Sequence, residues 1–209
     1  MSNGQLIVVS GFAGTGKGTL MKLLIEKYDN YMLSVSATTR NPRAGEIDGV
    51  HYFFTSKEKF EEMIANNELL EYAQYVDNYY GTPKAFVQKN REAGMNVILE
   101  IEIQGALKIK EQFPEAVLIY VLPPSAIELK NRLVNRGTET LEVINKRMNR
   151  AREESDGIHK YDYILVNDDL DKCVELMNTI ITSAAYTPDR NKEFISSIQC
   201  QLDDILKGE

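Results

Sequence analysis

The strongest constraint on the fold is a seven-residue loop that follows a short apolar segment. Residues 11–17 read G-F-A-G-T-G-K, the G-x-x-x-x-G-K pattern, and residues 6–9 before them are all aliphatic. A strand that runs through such a loop into a helix turns backbone N–H groups towards a phosphate, and the helix N-terminus adds partial positive charge. The pattern predicts a P-loop in which Lys17 reaches the β- and γ-phosphates. The predicted contacts to a nucleoside triphosphate are Gly11, Ala13, Gly14, Thr15, Gly16, Lys17, Gly18 and Thr19.

The residue after Lys17 departs from the usual pattern. Most P-loops carry Ser or Thr there to ligate Mg²⁺, whereas this chain has Gly18, with Thr19 one position further on. Two alternatives stay open: either Thr19 contributes to the metal site, or phosphates and water hold most of the Mg²⁺ shell. The second alternative is chemically ordinary because protein-bound magnesium keeps several waters.

The composition excludes several protein classes. The chain has 209 residues, enough for one large domain or one core with inserted lobes. Its two cysteines are too few for a disulfide framework, and a net charge of −7 argues against a broad nucleic-acid-binding surface. No apolar run approaches the roughly 20 residues that cross a bilayer, and the N-terminus lacks the basic start of a secretory signal. We therefore expect a cytoplasmic protein with no membrane or nucleic-acid partner.

Alternating strands and helices predict the fold class. Four apolar strands are expected at residues 6–9, 97–101, 116–122 and 163–166, with helices between them. This order is typical of an α/β protein whose parallel sheet is covered on both faces, a three-layer P-loop core with a parallel sheet. Two excursions interrupt the alternation, and an amphipathic helix closes the chain. The boundaries are core at 1–34, 89–125 and 158–186, excursions at 35–88 and 126–157, and a C-terminal helical extension at 187–209.

Seven of the nine arginines lie in these two excursions. Arg40 and Arg43 form one pair, and the second cluster is Arg132, Arg136, Arg147, Arg150 and Arg152. Such clusters either line solvated helix faces or mark anion sites. In an acidic chain the clustering favours anion sites, because the planar guanidinium group donates two parallel hydrogen bonds to a phosphate.

Several strings, taken together, carry a family resemblance. Residues 38–46 read T-T-R-N-P-R-A-G-E, and residues 78–81 read N-Y-Y-G. Further strings stand at 70–74, 99–105 and 166–169. From about residue 5 to 185 the chain closely resembles the guanylate kinases. The resemblance implies a P-loop core with a GMP-binding lobe at 35–88 and a helical lid at 126–157. It also implies Mg²⁺-dependent transfer of the γ-phosphoryl of ATP to GMP, and to dGMP, in purine nucleotide metabolism.

The same resemblance assigns the GMP site. Arg40 and Arg43 would clamp the GMP phosphate, with hydrogen bonds from the hydroxyls of Tyr52 and Tyr80. Glu71 would accept the N1–H and N2–H₂ donors of guanine and repel adenine, whose N1 is an acceptor. The full set is Ser36, Arg40, Arg43, Glu46, Tyr52, Glu71, Tyr80, Thr82, Glu100 and Glu102.

Some of these roles remain open at the sequence level. Glu46 matches a position that supports the arginines. Thr82 either presents its hydroxyl beside the base or caps the helix that begins near Pro83. Glu100 and Glu102 end a strand two residues apart, so we expect them on the same side, Glu100 towards Mg²⁺ and the phosphates and Glu102 towards GMP.

Catalysis then requires positioning and cations rather than an enzyme nucleophile, because the GMP phosphate oxygen itself attacks. By resemblance, Arg136 and Arg147 close over the ATP phosphates, Arg132 supports that edge, and Asn167 lies near the adenine. Arg147 and Arg150 are three residues apart on an expected helix and share a face. The implied catalytic set is Lys17, Arg40, Arg43, Arg136 and Arg147.

Two other functions are compatible with parts of the pattern. A kinase for another nucleoside monophosphate would keep the P-loop but not Glu71. A non-catalytic interaction module would keep the lobe but lose Lys17 and its glycines. The sequence leaves open whether the protein is a monomer or a homodimer.

Overall fold

Two sheets organise the protein in the computed structural model, which describes residues 3–75, 77–135 and 140–207. In chain order the strands are β1 (Leu6–Gly11), β2 (Tyr31–Leu33), β3 (Ala37–Thr38), β4 (Phe53–Phe54), β5 (Leu69–Tyr75), β6 (Asn78–Pro83), β7 (Asn96–Glu100), β8 (Val117–Leu122) and β9 (Tyr163–Val166). The larger sheet is parallel, with the order β2–β7–β1–β8–β9. The smaller sheet has the order β4–β3–β6–β5.

The large sheet confirms the predicted parallel core and adds a strand to it. The sequence indicated four strands, whereas β2 forms a fifth at one edge. β2 has only three residues, of which Tyr31 alone is buried. Its apolar run is therefore too short to be recognised as a buried strand. In the three central strands, Val8 of β1 lies beside Leu99 of β7 and Val9 lies beside Ile119 of β8, which brings the carboxyl ends of β1, β7 and β8 to one edge.

Helices cover both faces of the large sheet. In chain order the helices are α1 (Lys17–Lys27), α2 (Lys57–Ala65), α3 (Lys84–Glu92), α4 (Ile103–Gln112), α5 (Ala126–Asn135), α6 (Leu141–Ser155), α7 (Leu170–Ala184) and α8 (Lys192–Lys207). Side chains alternate along β1, so Ile7 and Val9 pack towards α1 and α7, while Val8 packs towards α3 and α4. A separate apolar cluster joins α5 and α6 to Phe12 and Tyr120.

The smaller sheet and α2 form a unit that we call the lobe, residues 37–83. Phe60 of α2 is fully buried in the lobe and stacks on Tyr79, with ring centroids 5.3 Å apart. Ser56 caps α2, because its hydroxyl accepts a hydrogen bond from the Lys59 N–H at 3.2 Å. These contacts give the lobe a small core of its own.

Two boundaries differ from the sequence-based expectation. Helix α3 begins at Lys84 with Pro83 still extended, so Thr82 does not cap it. Strand β7 ends at Glu100, and Glu102 is already the residue that precedes α4. Arg136, which we expected over the ATP phosphates, lies outside the described residues. Among the helices of the described ranges, none has the length and apolar character needed to cross a bilayer.

Candidate active site

The P-loop joins β1 to α1, as the sequence predicted. The Lys17 ammonium group donates to the carbonyl oxygens of Gly11 at 2.6 Å and Phe12 at 3.0 Å, so it lies over the loop. Gly16 has φ +85°, and a Cβ atom there would lie 2.7 Å from Asn167 Nδ2. The loop therefore needs glycine at this position both for backbone conformation and for space.

Asn167 and Arg132 hold the back of the same loop. The Asn167 amide donates to the Thr15 carbonyl at 2.8 Å. The Arg132 guanidinium donates to the Asn167 carbonyl at 3.0 Å, to the Thr15 carbonyl at 3.5 Å and to Glu128 at 2.8 Å. The structure thus brings together the P-loop, the end of β9 and α5.

A cavity of about 270 Å³ opens above the P-loop. Glu100 and Thr19 line it together, one from the end of β7 and the other from the first turn of α1. The Glu100 carboxylate reaches solvent, but the protein around it restricts hydration and raises its pKa, while Lys17 lowers it. Of the residues predicted to contact ATP, those that line the cavity are Ala13, Gly14, Gly16, Lys17, Gly18 and Thr19.

A larger cleft of about 510 Å³ runs from the P-loop to the lobe and is bordered by α6. The predicted site residues that line it are Gly11, Ala13, Lys17, Ser36, Tyr52, Glu71, Tyr80, Glu100, Glu102 and Arg147.

Glu71 is the most enclosed carboxylate of this cleft. It is 8% exposed, and burial raises its pKa. The Thr82 hydroxyl donates to one carboxylate oxygen at 2.7 Å. The other oxygen would lie 2.9 Å from a Cβ atom at Gly105, so this glycine leaves space for it. The carboxylate is thus held by one protein donor and keeps acceptor capacity for a ligand.

The predicted phosphate clamp is organised around Glu46. Arg40 donates two parallel hydrogen bonds to Glu46 at 2.8 and 2.9 Å, and the backbone N–H of Arg43 donates to it at 2.7 Å. These bonds lower the pKa of Glu46 to about 2. The Arg40 guanidinium lies 5.3 Å from the centre of the Tyr52 ring, which faces the cleft. Glu46 therefore makes the contact expected of a residue that supports the arginines.

The two tyrosines lie together at the lobe end of the cleft. The rings of Tyr52 and Tyr80 meet edge to face with their centroids 6.0 Å apart. Burial raises the pKa of Tyr52, so its hydroxyl stays protonated and can donate at neutral pH. Arg40 lies beside the Tyr52 ring and adds positive charge there, but its side chain does not line the cleft.

Helix α6 brings two arginines to the opposite wall, as their spacing predicted. Arg147 and Arg150 both line the cleft. Arg150, which the sequence left unassigned, bonds to Glu102 at 2.8 Å and to Glu154 at 2.9 Å. Arg152 instead pairs with Asp156 at 2.6 Å on an exposed face. Sequence spacing indicated the shared face, but only the fold shows that Glu102 reaches it.

Comparison with known proteins identifies the family. Residues 3–184 match the family model described as guanylate kinase. A guanylate kinase of Caldanaerobacter subterraneus subsp. tengcongensis is 54% identical over 94% of this chain and 95% of its own length, and one of Halalkalibacterium halodurans is 56% identical over 86% and 88%. A crystal structure of guanylate kinase from Anaplasma phagocytophilum covers 90% of both chains with a TM-score of 0.72 and 32% identity. The chain belongs to the guanylate kinase family.

Proposed function

We propose that this chain is an ATP:GMP phosphotransferase that converts ATP and GMP, or dGMP, to ADP and GDP, or dGDP. The observation that carries the proposal is one cleft with a P-loop lysine at one end and the buried Glu71 carboxylate at the other. Family membership over residues 3–184 supports the same activity. It also favours the kinase over the interaction module or a kinase for another monophosphate.

The ATP phosphates would lie on the P-loop. Lys17 and the loop amides would bind the β- and γ-phosphates, while Arg132 and Asn167 keep the loop in shape from behind. Thr19 and Glu100 offer oxygen atoms to the same cavity, and oxygen ligands are what Mg²⁺ prefers. Among the described residues no cluster of three or more His, Cys, Asp or Glu could hold a metal by itself. We therefore assign most of the Mg²⁺ shell to phosphates and water; bound there, Mg²⁺ neutralises phosphate charge.

GMP would lie between the lobe and α4. Glu71, positioned by Thr82, would accept hydrogen bonds from the guanine N1–H and N2–H₂ groups, and Ser36 lines the same cleft. Arg40, Arg43, Tyr52 and Tyr80 would surround the phosphate. None of these assigned contacts involves the 2′-hydroxyl, so we expect dGMP to serve as an acceptor.

In the transfer step a GMP phosphate oxygen attacks the γ-phosphorus. The bond between the γ-phosphorus and the β–γ bridging oxygen breaks, and ADP leaves with that electron pair. The attacking oxygen is already ionised near neutral pH, so the chain needs no general base. Lys17, Arg147 and Arg136 would offset the charge on the migrating group. We assign residues 126–157 to a lid that excludes water and the lobe to GMP capture.

A coupled assay of ADP formation with Mg·ATP and GMP, dGMP, AMP, UMP or CMP tests the proposal. We expect turnover with GMP and dGMP only. The variant Lys17→Ala should lose at least about 100-fold in kcat, whereas Lys22→Ala, an exposed lysine on the same helix, should not. Turnover with AMP or UMP would overturn the assignment of Glu71. A folded wild-type protein without turnover on any acceptor would overturn the proposed activity.

A further inference from the structure

The C-terminal helix α8 carries an apolar stripe that its own chain leaves uncovered. No residue of the described range 192–207 is buried, and exposure along the stripe runs from 39% at Ile195 to 69% at Leu206. The stripe consists of Phe194, Ile195, Ile198, Leu202, Ile205 and Leu206. At 3.6 residues per turn these six side chains fall within an arc of about 120°, and every charged residue of the range lies outside it. A single helix of this length is marginal in water unless its apolar face is packed.

The base of α8 is fixed to the rest of the protein. Asn191 donates to the carbonyl oxygens of Ala185 at 3.0 Å and Thr187 at 2.8 Å. Arg190 donates to the Glu115 carbonyl in the core. The stripe is thus presented by an anchored helix, and the family match ends before it, at residue 184.

We propose that α8 pairs with α8 of a second copy of this chain, in antiparallel orientation around Cys200. The sequence of the helix is symmetric about that residue. Apolar positions 198 and 202, 195 and 205, and 194 and 206 lie at equal distances on either side, and so do Gln199 and Gln201. An isologous two-fold pairing needs this self-complementarity, because each surface must match its own reversed copy.

The helix dipoles favour the antiparallel orientation. A parallel pair would align the two dipoles, whereas reversal about Cys200 opposes them. The charged residues of the range lie outside the apolar arc, so they do not enter the seam in either orientation.

The charge of the helix also argues against a lipid surface as the occupant. Between residues 192 and 207 there are three carboxylates and two lysines, whereas surface-bound amphipathic helices are rich in basic residues. A single helix pair is smaller than a standard protein interface, so association should depend on concentration. The pairing uses residues outside the cleft and leaves the cleft open.

Sedimentation of the full chain from about 1 to 100 µM tests the pairing. We expect wild type to shift from monomer to dimer within this range. Ile198→Asp should weaken dimerisation by about tenfold or more, because it places a carboxylate in the apolar seam. Ser196→Asp, on the polar side, should dimerise as wild type does, and both variants should keep kinase activity per chain. A monomeric wild type at every concentration, or an undiminished Ile198→Asp dimer, would overturn the proposal.

Spin-label distances test the orientation. Cys200 is exposed and Cys173 is buried, so a label on native Cys200 reports the centre of the pair. A label on Glu193→Cys in a Cys200→Ser background reports its end. The antiparallel pair offsets the two end labels by about 21 Å along the axis, so their separation should exceed that of the central labels. Equal distances at both positions would indicate a parallel pair and contradict the inference.

Discussion

At the scale of single residues, the buried Glu71 carboxylate lowers the stability of the folded protein at neutral pH, although it is the group proposed to recognise guanine. Burial raises the pKa of the Glu71 carboxyl above its value of about 4.3 in the unfolded chain. As pH rises, the carboxyl therefore ionises first in the unfolded chain. The folded protein loses stability between that pH and the raised pKa of the folded state. The variant Glu71→Gln keeps an oxygen for the Thr82 hydroxyl and removes the charge. We expect its melting temperature to exceed that of wild type at pH 7, with the difference vanishing near pH 4, in thermal scans between those values. Glu61→Gln, an exposed carboxylate, should show no such difference; a Glu71→Gln protein that is less stable at pH 7 would contradict this account.

The glycines at the P-loop differ in how much space a side chain would have. A Cβ atom at Gly16 would combine φ +85° with a 2.7 Å approach to Asn167, whereas a Cβ atom at Gly18 meets nothing within 4 Å. We expect Gly16→Ala to lower the free energy of unfolding by about 1–3 kcal/mol. Gly18→Ala should leave it unchanged or raise it by up to about 1 kcal/mol, since alanine favours the helix. Denaturant titration checks both values, and equal losses in the two variants would show that Asn167 does not constrain the loop.

At the scale of elements, the cap of α2 tests how the lobe is held. Ser56→Ala removes the hydroxyl that accepts from Lys59 and should cost about 1 kcal/mol. In a chain of this size that corresponds to a melting temperature lower by roughly 2–4 °C. Because α2 places Phe60 in the lobe core, we also expect KM to rise more for GMP than for ATP. Ser56→Thr keeps a hydroxyl and serves as the control; an equal loss there would remove the cap from the explanation.

Some helices, strands and contacts could be predicted from the sequence and others could not. Long apolar strands and the P-loop were predictable because each is encoded by neighbouring residues. The strand β2 was missed because its three residues at a sheet edge form too short an apolar run, and only Tyr31 is buried. The partnership of Glu102 with Arg150 could not be foreseen, since it joins residues 48 apart through the packing of α4 and α6. In the same way, the space that Gly105 leaves for Glu71 exists only in the folded chain.

At the scale of the whole molecule, the two ends of the cleft should bind their ligands separately and stabilise the protein together. A ligand at about 100 times its Kd adds about 2.7 kcal/mol to the free energy of unfolding, which raises the melting temperature by roughly 5–10 °C. We expect GMP and Mg·ATP each to stabilise wild type in a thermal shift assay. Lys17→Ala should keep the shift caused by GMP and lose most of the shift caused by Mg·ATP.

Glu71→Gln should behave in the opposite way. An amide N–H₂ group facing the guanine donors leaves them without an acceptor, so the GMP shift should fall while the Mg·ATP shift persists. AMP, which lacks the N1–H and N2–H₂ donors, should not shift wild type through the lobe site. Because stability is a property of the whole chain, the two variants together separate the subsites without any turnover. If both variants lost both shifts equally, the two ends of the cleft would form one recognition site, and the separate roles of the P-loop and the lobe would have to be abandoned.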